Sequence, residues 1–192
     1  MNRIVLLGDS ITAGMTNGYP SPIFSHKLAS FLPEVEFINR GVPGDITRLA
    51  KLRLQADVLE VDPDLVVVFF GTNDVADPQT DLEDYRSNLE EICRTVGLEK
   101  CLLITPGLVG PSQEASRPTP KMAAFAKATL ELGQNLDIPT LNWQAIMEKH
   151  IPASLLQADE IHYNERAYDL LVANLVPLLK TKLAQVKPKI IH

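Results

Sequence analysis

A serine hydroxyl attacks a carbonyl only when a base takes its proton, so a serine and a histidine that could meet are the first residues to look for. Gly8-Asp9-Ser10-Ile11-Thr12-Ala13-Gly14 puts a serine directly after an apolar run, where glycine permits a tight turn and a helix can begin. Taken alone, Ser10 reads first as a helix N-cap, a position that favours serine. Near the other end, Asp159-Glu160-Ile161-His162-Tyr163-Asn164 sets an aspartate three residues before a histidine, just ahead of a last helix for which Asn164 is a suitable cap. At that spacing the carboxylate can curl back to accept the Nδ1 proton, leaving Nε2 to take a proton from a nucleophile. The other histidines have no comparable partner: His26 falls in an expected surface helix, His150 in the last turn of a short helix, and His192 at the chain end. Ser10, His162 and Asp159 thus supply a nucleophile, a base and an orienter for acyl transfer.

The attacked carbonyl becomes an oxyanion and needs donors already aimed at it. The backbone N–H of Ser10, the backbone N–H of Gly44 in Gly41-Val42-Pro43-Gly44-Asp45, and the carboxamide of Asn73 in Gly71-Thr72-Asn73-Asp74 meet that need. Each segment is unremarkable alone. Pro43-Gly44 predicts a type II turn, and Asn73 and Asp74 are ordinary turn formers.

These residues must be held by regular elements. Five short apolar runs rich in β-branched residues, Ile4–Leu7, Val35–Ile38, Leu65–Phe70, Cys101–Thr105 and Ile138–Leu141, read as strands. Apolar residues at helical spacing predict helices over Ile23–Leu32, Ile46–Leu59, Leu82–Val96, Met122–Leu136 and Glu165–Leu183. Alternating βα units, with a third strand apolar on both faces, predict a five-stranded parallel sheet in a three-layer α/β/α sandwich. In such sheets ligands bind beyond the carboxyl ends of the strands, where Ser10, Gly44 and Asn73 stand. The loop Pro106–Pro120, rich in proline, glycine and serine, reads equally as a pocket wall or a plain surface connection.

A chain of 192 residues, 45% hydrophobic and 22% charged, suits one globular domain spanning 1–192. A net charge of −6, with basic residues scattered apart from Lys180–Lys189, argues against nucleic acid as a partner. No apolar run is long enough to cross a bilayer, which argues against integral membrane association. The four apolar residues Ile4–Leu7 are too few for a secretory signal, so a cytoplasmic location is expected. Cys93 and Cys101 lack metal or redox spacing and read as buried thiols.

The segments around Ser10, Gly44, Asn73 and Asp159–His162, in that order, resemble the blocks of the SGNH hydrolases, also called GDSL-type lipases or acylhydrolases. The resemblance spans almost the whole chain and implies a flavodoxin-like fold, a Ser10–His162–Asp159 triad, an oxyanion hole from Ser10, Gly44 and Asn73, and neither metal nor cofactor. Asp9 and Asp74, beside Ser10 and Asn73 in their blocks, are then expected to support the reacting groups from behind. The chain departs from the usual pattern after the histidine, where Tyr163 replaces a common proline and Ala167 a common glycine. That touches the start of the last helix and the pocket wall, and leaves the proton path alone.

The substrate class implied is a small-molecule acyl ester, with a short acyl group favoured because few aromatics are present to form a sugar platform and no long lid is evident. The resemblance leaves open a carbohydrate O-acetylesterase, a lysophospholipase or a thioesterase, and it says nothing of oligomeric state. Two rivals lie outside the family: a metal-dependent phosphoesterase using Asp9, Asp74, Asp159 and His162 as ligands, and a binding module that keeps the scaffold without the chemistry. Ester turnover that survives exhaustive chelation separates the first, and labelling of Ser10 by an organophosphonate fluoride the second. If His162 is the base, turnover should fall in mildly acidic solution.

Overall fold

The computed structural model describes residues 1–186; His192 and the Lys187–Lys189 end of the basic tail lie outside them. Five strands, β1 (Asn2–Gly8), β2 (Val35–Gly41), β3 (Leu65–Phe69), β4 (Cys101–Ile104) and β5 (Thr140–Leu141), form one all-parallel sheet in the order β2-β1-β3-β4-β5. The helices are α1 (Ser10–Ala13), α2 (Ile23–Phe31), α3 (Thr47–Leu54), α4 (Leu82–Val96), α5 (Thr119–Asn135), α6 (Trp143–Met147) and α7 (Glu165–Leu183). This is the α/β/α sandwich expected from the sequence, with the flavodoxin-like strand order.

Strand side chains alternate between two cores. Ile4, Leu6, Val67 and Phe69 face one side, where they pack with Phe24 and Leu28 of α2, Trp143 of α6, and Tyr168, Leu171 and Leu175 of α7. Val5, Leu7, Val66 and Val68 face the other, against Ala50 and Leu54 of α3, Tyr85 and Ile92 of α4, and Phe125 and Leu132 of α5. Burial on both faces explains why β1 and β3 read as unbroken apolar runs rather than alternating ones.

Several elements differ from the sequence reading, and β2 runs on past Ile38 because Asn39–Gly41 pair with Leu6–Gly8 of β1. The helix expected over Ile46–Leu59 is α3 followed by a wide π turn, Gln55–Leu59, because apolar spacing over one turn does not separate i+4 from i+5 bonding. The last strand starts at Thr140 rather than Ile138: Pro139 has no N–H to give to β4, although its carbonyl accepts from the Leu103 N–H at 3.0 Å. Helix α5 begins at Thr119, ahead of the apolar signal at Met122, since Pro120 suits a first turn and carries no core residue. His150 lies three residues beyond the end of α6.

The sheet reverses direction of winding between β1 and β3, and the register levels Gly8 with Gly41 on one side and with Phe69 on the other. The segments leaving β1, β2 and β3 therefore emerge at the same height along one rim. That rim is where ligands bind in open parallel sheets.

Candidate active site

Asp9, not Ser10, caps α1. The Asp9 carboxylate accepts from the Ile11 N–H at 2.8 Å, and Ser10 is the first residue inside the helix. A side chain adjacent to the expected cap has taken that duty, which leaves the Ser10 hydroxyl free for another partner. Gly8 is required just before it: a Cβ there would fall 2.6 Å from the Phe69 carbonyl oxygen and closer still to Thr12.

His162 Nε2 lies 2.9 Å from Ser10 Oγ, and His162 Nδ1 lies 2.6 Å from Asp159 Oδ2, so residues 152 positions apart in the chain meet at hydrogen-bond distance. The other Asp159 oxygen, Oδ1, accepts from the backbone N–H groups of Ile161 and His162, each at 3.0 Å. Burial alone would raise the Asp159 carboxyl. The His162 ring and the two N–H donors outweigh that and hold it below the usual carboxylate range. An ionised carboxylate at that distance is placed to accept a proton from Nδ1 of the imidazole.

The second and third segments are tied to the first. The Val42 N–H donates to the Gly8 carbonyl at 3.0 Å, and the Asp45 N–H to the Val42 carbonyl at 3.1 Å, closing the expected type II turn with Gly44 at φ 80°. Asn73 Nδ2 donates to the Asp45 carbonyl at 3.1 Å, so the carboxamide is fastened to the residue that follows Gly44. Asp74 Oδ1 accepts from the backbone N–H of Thr47 at 2.9 Å and from its hydroxyl at 2.5 Å, and so anchors the N-terminus of α3.

Sequence reasoning missed the basic and amide residues that brace these segments. Arg53 holds Asp45 Oδ2 through Nε at 2.8 Å and Nη2 at 2.6 Å, and also donates to the carbonyls of Gly8 and Arg40. Arg117 donates from Nε to the Thr72 carbonyl at 2.9 Å and from Nη2 to Asn73 Oδ1 at 3.1 Å. Gln157 donates to the carbonyls of Met15 and Tyr163, joining the segment after α1 to the turn that carries His162.

The loop Pro106–Pro120 is more than a connection. Its Gly110 N–H donates to the Glu160 carbonyl at 2.7 Å, its Ser112 N–H to the Glu160 carboxylate at 2.7 Å, and Gln113 Nε2 to the Asp159 carbonyl at 3.2 Å. Those bonds hold a turn in which Glu160 adopts a left-handed φ of 59°. Between this loop and the turn lies a cleft of about 260 Å³ lined by Gly110, Pro111, Leu156, Gln157 and Glu160, among others. Tyr163, expected near the pocket wall, is instead a core residue whose hydroxyl accepts from Trp143 Nε1 at 2.8 Å. Asn164 caps α7, accepting from the Ala167 N–H.

Asp9 and Asp74 are buried behind Ser10 and Asn73. Desolvation pushes Asp9 up to about 7, opposed by the Ile11 N–H and reinforced by the charges of Asp74 and Asp45; it pushes Asp74 up to about 6 against the Thr47 donors. Asp74 Oδ2 has no hydrogen-bond partner among the described residues. Between about pH 4 and 7 the unfolded chain releases the Asp9 proton while the folded chain keeps it, so this group's contribution to stability is lost as pH rises. Asp9→Asn keeps the cap acceptor and removes the titration. Its stability relative to the parent should grow by roughly 2 kcal/mol from pH 5 to 8, as read by thermal or urea unfolding. A pH-independent difference would contradict this assignment.

Among the described residues no three His, Cys, Asp or Glu side chains gather as a metal site, and no helix is long and apolar enough to cross a membrane. Cys93 and Cys101 are buried free thiols, as expected.

A family model for the GDSL-like lipase/acylhydrolases matches residues 6–170. The chain belongs to this family. Like its relatives, this acylhydrolase is a hydrolase of ester bonds. The crystal structure of the lipase/acylhydrolase from Enterococcus faecalis is similar over 100% of both chains, with 34% identity and a TM-score of 0.90. Axe2, an acetylxylan esterase from Geobacillus stearothermophilus, shares the fold over 92% of this acylhydrolase and 93% of its own chain, at 21% identity and a TM-score of 0.73. A Bacillus subtilis protein named uncharacterized lipoprotein YqeF is 27% identical over 175 residues, 76% of this chain and 72% of its own.

Proposed function

We propose that this acylhydrolase cleaves carboxylic esters of small acyl groups, with Ser10 as nucleophile, His162 as general base and then acid, and Asp159 as the group that orients the imidazole. The observation that carries the proposal is the pair of contacts on one ring, 2.9 Å from Nε2 to Ser10 Oγ and 2.6 Å from Nδ1 to Asp159 Oδ2. His162 takes the hydroxyl proton as Oγ bonds to the acyl carbon, then returns it to the departing alcohol; water repeats the sequence to release the acid. The N–H groups of Ser10 and Gly44 and the carboxamide of Asn73 are the proposed oxyanion donors.

The preference for a short acyl group rests on the sequence, which offers few aromatics for a sugar platform and no evident long lid over the serine. Hydrolysis of p-nitrophenyl esters from acetyl to decanoyl tests it. The specificity constant should peak at short chains, and one that kept rising to decanoyl would overturn the preference without touching the triad. The cytoplasmic location stays part of the proposal. It is supported by two unpaired cysteines that suit a reducing compartment, and recovery of the native protein with membranes would count against it.

A further inference from the structure

We propose that Arg117 is a positioning residue for ester hydrolysis, acting through Asn73 to hold the carboxamide with its nitrogen toward the oxyanion and to strengthen that nitrogen as a donor. The inference rests on the reading of Asn73 as an oxyanion donor.

The carboxamide of Asn73 is pinned at both ends by groups that admit one orientation. Arg117 Nη2, 3.1 Å from Oδ1, can only donate, and the Asp45 carbonyl, 3.1 Å from Nδ2, can only accept. A flipped amide would set donor against donor and carbonyl against carbonyl. It would also turn an oxygen toward the developing negative charge. One N–H of Nδ2 is engaged by Asp45, whose own side chain is clamped by Arg53, and the second is left for the substrate.

The acceptors of Arg117 are all neutral. They are the Thr72 carbonyl, Asn73 Oδ1, Gln113 Oε1 at 3.3 Å and Ser116 Oγ at 3.2 Å. Among the described residues no carboxylate lies within ion-pair distance of the guanidinium, which is partly buried, and burial lowers its pKa with Asp9, where ionised, opposing. A charge withdrawn from water without an ion pair is costly for stability alone, and a neutral donor would brace the loop more cheaply. The charge has a use in catalysis. A charge-assisted hydrogen bond on Oδ1 draws electron density from the amide and makes the opposite N–H a stronger donor. Through Gln113, which reaches the Asp159 carbonyl, the same guanidinium also links the oxyanion side of the site to the turn that carries the proton relay.

A double-mutant cycle on p-nitrophenyl acetate tests this. Asn73→Ala should lower kcat about a hundredfold to a thousandfold. Arg117→Ala should lower kcat about tenfold with KM changed less than about twofold, and in the Asn73→Ala background it should have almost no further effect. Arg117→Lys should recover part of the loss by restoring the charge, whereas Arg117→Gln should not. Equal losses from Arg117→Ala in both backgrounds, or a loss confined to KM, would overturn the proposal. If Arg117→Ala fails to fold, the Gln and Lys variants complete the same cycle. Should Ser10→Ala retain activity, the functional reading itself fails. Should Ser10→Ala be inactive and the cycle additive, only the role of Arg117 fails.

Discussion

Replacing Ser10 with alanine should abolish ester turnover and leave the fold standing. Among the described residues the hydroxyl bonds to His162 Nε2 alone, and the structural duties around it belong to other atoms. Asp9 supplies the cap of α1, and the Ser10 carbonyl, which accepts from the Met15 N–H at 3.0 Å, is untouched by the substitution. Unfolding should therefore stay within about 0.5 kcal/mol of the parent. Turnover should fall on the order of 10⁵–10⁶-fold, because neither the imidazole nor the oxyanion donors can form the acyl-enzyme without a nucleophile. Two measurements decide it: kcat for p-nitrophenyl acetate on a variant shown to be folded, and the mass gained after treatment with an organophosphonate fluoride. Loss of less than a hundredfold, or labelling that persists in Ser10→Ala, would mean that another residue attacks.

The parts of the site that were legible in the sequence are those with a local signature. Ser10 follows an apolar strand and precedes a helix, and Asp159 stands at a fixed short spacing from His162; each is visible within a window of a few residues. The alternation of apolar runs likewise announced the parallel sheet, because β1 and β3 are buried on both faces. Arg117 and Gln113 had no such signature. Arg117 reaches Asn73 across 44 positions, from a loop whose prolines and glycines report only that it is not regular. Arg53 sits in a helix that reads as amphipathic whether or not its guanidinium bridges Asp45 and Asp57. The exchange of capping duty between Ser10 and Asp9 was hidden for a different reason. Both are good caps in adjacent positions, and only the backbone angles, extended at Asp9, settle which one is used.

The same distinction sharpens the second large effect expected, that of Asp159→Asn. The substitution changes one atom and preserves the shape of the turn, so the obvious expectation is a mild loss. The hydrogen bonds predict otherwise. Oδ1 accepts from the N–H groups of Ile161 and His162, which only an oxygen can satisfy, so the asparagine oxygen must occupy that position. The amide nitrogen is then placed where Oδ2 was, facing His162 Nδ1 at the present 2.6 Å separation. A nitrogen there donates, Nδ1 must accept, and the ring proton is driven to Nε2, the atom that has to receive the proton of Ser10. The imidazole would be held in position in the wrong tautomer, and turnover near neutral pH should drop about 10⁴-fold while unfolding is little changed. Asp159→Ala loses the orienter and both backbone bonds, and should therefore be the less stable of the two variants. If Asp159→Asn instead kept more than about a tenth of parental turnover, with chemistry shown to be rate-limiting, the carboxylate would have no part in setting the tautomer.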